Sequence, residues 1–340
     1  MTSPTAKNTC AVAKHADYPE IFDTIIVGAG PAGMTAAIYA ARRKMKTLMV
    51  CGTIGGQMKW ASDIQNWTGV AQATGPELTN QFYAHIKRID HDDKAFDLWV
   101  REEEKVTTIK KNSLQDKDYH VFEITTDGGE KFLTKTVVVC SGKIPRTLGI
   151  PGEKIAMRGN GLSFSATSDA PLYRDKKMAV IGGGNSAMDV ALQLAKYTDD
   201  ITIMTNLDHL IGEACLMDRV NENPNILIKY AVAVQEVLLD ENEKVSGIRL
   251  SEGAGDSYDF DCEGIFEEIG QIPATGFVKG FLDQNDGNEI IKDKDCKTSI
   301  EGIFAAGDCT DQQHKQTIIA AGEAAVAALE AHKYIIKLKE

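Results

Sequence analysis

The chain has 340 residues, 43% hydrophobic and 25% charged, with 37 Lys and Arg against 49 Asp and Glu for a formal net charge of -12. That length suggests two domains or three, and the apolar share excludes general disorder. The acidic balance disfavours nucleic acid or an anionic membrane as the main partner.

Residues 1–20 are polar and read as an arm; they contain no apolar core, so no secretory signal is expected. Thr24 to Ala41 is the most apolar stretch, but Gly28, Gly30, Pro31 and Gly33 divide it, so it reads as strand then helix rather than a membrane span. Asp23–Val27 is β-branched and reads as a buried strand, Met34–Arg43 as a helix and Thr47–Cys51 as a second strand, a βαβ unit. The basic cluster Arg42, Arg43, Lys44 and Lys46 reads as a solvated helix end.

The turn inside that unit is Gly28-Ala29-Gly30-Pro31-Ala32-Gly33. In such a turn the first glycine permits the bend, the second admits a pyrophosphate to the backbone, and the third lets helix and strand pack closely. The helix N-terminus then offers partial positive charge to the phosphates. The acid that usually follows the second strand to hold a ribose is missing, since Val50 and Cys51 stand there.

Further on, Lys105–Lys131 is polar, with a strand expected at His120–Thr125 and a turn at Asp127-Gly128-Gly129. Thr136–Cys140 is another short strand, leading to Ser141-Gly142. The βαβ pattern then restarts with strand Lys177–Ile181, turn Gly182–Gly184, helix Ser186–Lys196 and strand Ile201–Met204. This second turn, with Gly182, Gly184, Asn185 and Ser186 as its candidate contacts, carries Ala187 in the last glycine position, which the fingerprint permits. At the following strand end an acid would favour NAD and arginines NADP. The sequence there is Thr205-Asn206-Leu207, with Asp208 arriving late. Gly302–Ala306 is a last buried strand before Gly307-Asp308, and Thr317–His332 an alanine-rich helix.

Seven cysteines, Cys10, Cys51, Cys140, Cys215, Cys262, Cys296 and Cys309, are scattered with no CxxC and no zinc spacing, so reduced structural thiols in a cytoplasmic protein are expected. No paired metal ligands stand out, and no metal is expected. Glu102–Glu104 and Glu267-Glu268 read as solvated charge, and His209 as an exposed loop residue.

Several ordered motifs carry a family resemblance. They are the Gly28–Gly33 turn; Gly55-Gly56-Gln57 followed by Asn66-Trp67; Ser141-Gly142 with Pro145-Arg146; Ile269-Gly270 with Pro273 and Thr275; Gly302–Asp308; and Lys315-Gln316-Thr317. From Phe22 to the C-terminus the chain resembles low-molecular-weight thioredoxin reductases. It is also similar to the C-terminal part of the alkyl hydroperoxide reductase flavoprotein subunit.

The resemblance implies an α/β fold of two Rossmann-like nucleotide-binding domains, thioredoxin reductase-like, in three β/β/α layers. An FAD domain would comprise 21–146 and 272–340, with an NAD(P)-binding-like domain, 147–271, inserted between. It assigns FAD to Gly28, Gly30, Pro31, Ala32, Gly33, Gly56, Gln57, Asn66, Ser141, Gly142, Gly307, Asp308, Lys315, Gln316 and Thr317. It also implies a homodimer and a thioredoxin-like protein substrate.

Two departures matter. The family carries a redox-active CxxC followed by aspartate, whereas this chain reads Ser165-Ala166-Thr167-Ser168-Asp169. Ser165 and Ser168 occupy the catalytic pair positions, and Asp169 that of the family's proton donor. A serine hydroxyl forms no disulfide and has no comparable redox couple. Deliberate Cys→Ser replacement, natural loss of the relay, and a different disulfide among the remaining cysteines all stay open. Second, the His-Arg-Arg run of NADPH-using relatives is absent at Thr205-Asn206-Leu207. Some family members take electrons from ferredoxin instead; such an acidic carrier would need a basic patch, for which Arg42–Lys46 is the candidate.

The expected function is therefore FAD-dependent transfer from a reduced donor, ferredoxin or NAD(P)H, toward a redox pair at 165/168, halted there by the serines. One alternative is a disulfide-independent reductase or oxidase that passes electrons to oxygen, a quinone or a one-electron carrier. The other is a non-catalytic flavin-binding protein.

Overall fold

The computed structural model describes residues 18–61, 64–89, 96–112, 120–157, 159–253, 255 and 257–338. Most of the arm expected at 1–20, and Cys10 within it, lies outside the described residues. The chain divides into two compact units: its two ends, up to Ile144 and from Pro273, form one, and Pro145–Ile272 forms the other.

The first unit opens with β1 (Phe22–Ala29), α1 (Pro31–Arg42) and β2 (Thr47–Ile54), with β1 and β2 parallel. The helix starts at Pro31, ahead of the expected Met34, because proline is pre-set for the first helical turn and lacks the N–H left unpaired there. Next comes α2 (Gly75–Lys87), where Thr74 and Glu77 form a reciprocal capping box. After it run β3 (Leu98–Arg101), β4 (Val106–Asn112), β5 (Val121–Thr126) and β6 (Lys131–Val139). The expected turn closes the β5–β6 hairpin, with the Gly129 N–H donating to Thr126 O at 3.0 Å.

After β7 (Lys143–Pro145) the second unit contains α3 (Glu153–Ala156), β8 (Leu162–Ser163), α4 (Ala166–Asp169), β9 (Met178–Ile181) and α5 (Asn185–Leu194). It continues with β10 (Ile201–Met204), α6 (Ala214–Asn221), β11 (Ile226–Lys229), β12 (Val232–Leu239), β13 (Val245–Glu252), β14 (Ser257–Asp261) and β15 (Gly264–Glu267). The chain returns through β16 (Gln271–Pro273) to β17 (Ile303–Ala305) and α7 (Thr317–Lys337).

In the first unit the sheet order is β3-β2-β1-β6-β5-β4, with β17 also on β6. One face is covered by α1 and α7, whose buried stripes are alanines: Ala36, Ala37, Ala40 and Ala41 on one helix, Ala324, Ala327, Ala328 and Ala331 on the other. Small side chains let the helices lie close to each other and to the strands. The stripe carries α7 past His332 to bury Ile335. The other face buries Phe22, Ile25, Phe122 and Val137, each contributing about 1.5–3 kcal/mol.

The second unit is built in three layers. A parallel sheet, β11-β10-β9-β15-β8, has α5 on one face and the antiparallel sheet β12-β13-β14 on the other. Strand β15 lies between β9 and β8, which overturns the reading of Glu267-Glu268 as solvated charge. Glu267 is 2% exposed and Glu268 half-buried. Among the described residues no helix is long and apolar enough to cross a membrane.

Candidate functional site

The first glycine turn is shaped by close backbone approach. Gly28 has φ +105°, and a Cβ on it would stand 2.4 Å from Cys140 O. A Cβ on Gly33 would stand 1.9 Å from Gly28 O, so only glycine lets α1 pack on β1 here. Gly30 is the N-cap of α1 and supplies no side-chain cap, and the first turn holds no acid. Its amides are thus left for an anion.

That turn forms one wall of a cavity of about 720 Å³ within the first unit. Gly28, Gly30, Pro31, Ala32, Gly56, Gln57, Asn66, Ser141, Gly142, Asp308, Lys315, Gln316 and Thr317 all line it. Gly33 and Gly307 shape the wall from behind; Gly307, at φ +80°, donates its N–H to Glu323 Oε2 at 2.9 Å. A Cβ on Gly56 would come within 3.2 Å of Gly30 Cα, so two glycines keep a slot open between the turn and the 55–57 segment. Gln57 Nε2 donates to Lys143 O at 2.7 Å, and Asn66 Nδ2 to Gln316 Oε1 at 3.2 Å, joining segments distant in sequence. The volume suits a cofactor, and uncapped helix amides beside a glycine slot suit the pyrophosphate of FAD. Burial pushes the Asp308 carboxyl above its ordinary pKa, against the pull of Lys315 and Lys143.

Three further residues at this cavity belong to none of the sequence motifs. Lys143 and Glu104 line it, and Glu289 stands behind Lys143 and Lys315. Glu104 is half-buried against Arg101, not simply solvated, and its N–H donates to Cys51 O at 3.1 Å. Its backbone thereby lies beside Cys51 in β2, where the customary acid is missing.

The second turn has a different surface. Gly182 takes φ +137°, and a Cβ there would lie 2.3 Å from Glu268 O. The loop after β10 folds onto the turn: the Ile211 N–H donates to Gly183 O at 2.8 Å and the Glu213 N–H to Asn185 Oδ1 at 2.9 Å. A Cβ on Gly212 would stand 2.0 Å from Asn185 Oδ1. Thr205, at the strand end, is buried and its hydroxyl accepts the Leu207 N–H at 3.2 Å. Burial pushes the half-buried Glu268 carboxyl up to about 7. His209 is exposed and pairs with Asp208 at 2.6 Å.

Ser165 stands at the N-cap position of α4 without a side-chain cap bond, and Ser168 falls within that single turn; the Ser168 side chain lies outside what is described. Asp169 closes the turn through its N–H to Ser165 O at 3.1 Å. Its Oδ2 accepts the Ser163 hydroxyl at 2.7 Å, and Ser163 Oγ accepts the Ser165 N–H at 3.0 Å. Asp169 is therefore a positioned carboxyl held beside the pair. Burial, and next the Asp169 charge, raise the pKa of Tyr173.

The six described cysteines are free thiols, and only Cys215 is exposed. Burial pushes Cys51 and Cys262 up to about 12 and Cys296 to about 11, and raises Cys140 and Cys309 as well. Such thiols are poor nucleophiles. Among the described residues no cluster of His, Cys, Asp and Glu is fit to hold a metal.

The family model described as Pyridine nucleotide-disulphide oxidoreductase matches residues 22–325. The F subunit of alkyl hydroperoxide reductase in Staphylococcus aureus is 35% identical over 328 residues, 96% of this chain and 62% of that protein. Its counterpart in Pseudomonas putida is 34% identical over 326 residues, 96% of this chain and 60% of its own length. The chain thus spans less than two thirds of these relatives. Among solved structures, Lactococcus lactis thioredoxin reductase superimposes with a TM-score of 0.79 at 31% identity, over 93% of this chain and 99% of that one. Thioredoxin reductase from T. acidophilum gives 0.77 at 29%, over 94% and 100%. With two nucleotide-binding α/β sheets and these matches along most of its length, the chain belongs to the pyridine nucleotide-disulphide oxidoreductase family, on its low-molecular-weight thioredoxin reductase branch.

Proposed function

We infer that this chain is an FAD-dependent oxidoreductase that accepts electrons from a reduced donor and directs them toward the pair at 165/168. The observation that carries this reading is the cavity in which the Gly28–Gly33 turn, Gln57, Asp308 and Lys315–Thr317 meet. FAD, when bound, supplies the electron-accepting chemistry. The amides of α1 would hold its pyrophosphate, the Asp308 carboxyl would accept from hydroxyls of its chain, and the start of α7 would offer partial positive charge to its ring. Asp169, held by Ser163, stands ready to move a proton at residue 165 or 168. With serine at both positions, no thiol attacks a partner disulfide, so output to a thioredoxin-like protein stops there.

For the donor, the second turn supports a protein carrier such as ferredoxin over NADPH. The strand end offers no arginine for a 2′-phosphate, and Glu268 adds negative charge above neutral pH. Arg42, Arg43, Lys44 and Lys46 are exposed and form the candidate docking patch. The family resemblance adds a homodimer, to be tested by sedimentation.

The deciding experiment is an anaerobic titration of flavin absorbance with NADPH, NADH and reduced ferredoxin in turn. Bleaching by ferredoxin alone is the expected result. Bleaching at about one equivalent of NADPH, typical of a working dinucleotide site, would return the second unit to pyridine nucleotide use. A purified chain that carries no flavin and binds none would overturn the whole reading.

The raised thiol pKa values and the serine pair also favour a second reading, in which reduced flavin passes electrons to oxygen, a quinone or a one-electron carrier. Its signature is sustained peroxide or quinol production with the donor identified above.

A further inference from the structure

A three-residue charge cluster at the cofactor cavity joins Lys315 to two residues, Lys143 and Glu289, that the assignments above leave without a role. Lys143 opens β7, Lys315 precedes α7, and both line the cavity. Each directs its ammonium to the same atom: Lys143 Nζ lies 3.3 Å and Lys315 Nζ 2.9 Å from Glu289 Oε1. Their side chains are only 18% and 22% exposed, and that of Glu289 20%, so solvent screens the group weakly.

Glu289 is itself held. Asn285 Nδ2 donates to its Oε2 at 2.9 Å, and its N–H donates to Asn285 Oδ1 at 2.9 Å. The neighbouring Asn288, at φ +59°, turns its carbonyl to the buried Thr275 hydroxyl at 2.6 Å. Lys315 is also fixed by donating to Thr310 O at 2.5 Å. Burial works to raise the Glu289 pKa, but hydrogen bonds from Asn285, Lys315 and Lys143, with the Lys315 charge, bring it below the usual value, so the carboxylate is charged at neutral pH. Two cations sharing one anion leave one positive charge within this three-residue group, opposed by the half-buried Asp308 carboxyl at the same cavity. Removing the shared anion leaves both cations in place and uncompensated.

We propose that Glu289 is a positioning residue for the flavin: its one carboxylate oxygen holds Lys143 and Lys315 on the cavity wall and limits the positive charge they present to the reduced ring. This rests on the FAD reading given above. Reduction adds negative charge to the ring, so an uncompensated lysine pair favours the reduced form and an unpaired carboxylate disfavours it.

The test measures the flavin midpoint potential of the full-length protein and its variants, with FAD content recorded alongside. Glu289→Gln keeps the side-chain size and removes the charge. Its affinity ratio for reduced over oxidised FAD rises about tenfold, a positive shift of about 30 mV for a two-electron couple. Glu289→Asp moves the potential back toward that of the unaltered protein. Lys315→Met and Lys143→Met shift it in the negative direction, and they decide the matter should Glu289→Gln fail to fold. An FAD-loaded Glu289→Gln protein with an unchanged potential would overturn the proposal. So would lysine variants that leave the potential where it was. Failure of the unaltered chain to bind FAD removes the cofactor reading, and this inference with it; failure of the variants alone leaves the cofactor reading intact.

Discussion

Glu153 and Glu267 accept the same backbone N–H, that of Leu148, at 2.7 and 2.9 Å, and each residue is 2% exposed. Glu153 also accepts the Gly149 N–H at 2.8 Å, so the two carboxyls pin the segment entering the second unit onto the end of β15. Burial first, and then the charge of Glu153, push the Glu267 pKa up to about 8. Glu267 therefore carries its proton at neutral pH.

This pair makes stability depend on pH. The folded-state pKa of Glu267 is raised, so between its unfolded value near 4.5 and about 8 the folded chain binds more protons than the unfolded one. Stability is fully present below that window and is lost as pH rises through it. Glu267→Gln replaces the protonated acid by a neutral isostere and removes the loss. The variant is expected to match the parent near pH 5 and to exceed it by on the order of 3 kcal/mol at pH 9. Thermal melts at the two pH values check this; parallel pH dependence in parent and variant would rule it out.

Restoring the thiols tests the route at α4. Ser165→Cys with Ser168→Cys is expected to let the protein reduce thioredoxin, with the parent inactive in the same assay. Adding Asp169→Asn to the double variant should lower that rate by about 10²-fold, the usual scale for loss of a general acid, while flavin reduction by the donor stays unchanged. A double variant that takes electrons from the donor yet reduces no disulfide would sink the relay.

Gly33 carries a steric prediction. Gly33→Ala places a methyl group 1.9 Å from Gly28 O, and backbone must move to admit it. A stability loss of about 1–3 kcal/mol is expected from such overpacking, with purified protein depleted of flavin. Gly322→Ala is the control: a Cβ there meets nothing within 4 Å, so flavin content should hold.

Thiol labelling separates the cysteines. Of the six described, Cys215 is expected to react with maleimide at neutral pH while Cys51, Cys140, Cys262, Cys296 and Cys309 stay unmodified until unfolding. Peptide mapping reads the result. Fast labelling of Cys140 or Cys309 would show a reactive thiol where burial calls for an inert one.

The nucleotide turns were legible in the amino-acid sequence because their chemistry is local. Gly28 and Gly33 are required by contacts within a few residues or with the adjoining strand, and such needs leave a fixed spacing. The same holds for β10, whose bounds Ile201–Met204 follow from a short β-branched run. The serines at 165 and 168 needed only comparison with a motif.

Charge was legible only in part, because the consequence of a charged side chain depends on what the fold packs around it. Glu267 and Glu268 look like surface acids until β15 is placed between β9 and β8. Glu104 looks the same until the β3–β4 connection lays its backbone against Cys51 of β2 and its side chain against Arg101. Glu289 has no motif at all, and its meeting with Lys143 and Lys315 exists only where the chain's two ends fold together. Local backbone demands are written in residue spacing; the field at the cavity is a sum over residues far apart in the chain, and only the tertiary structure performs that sum.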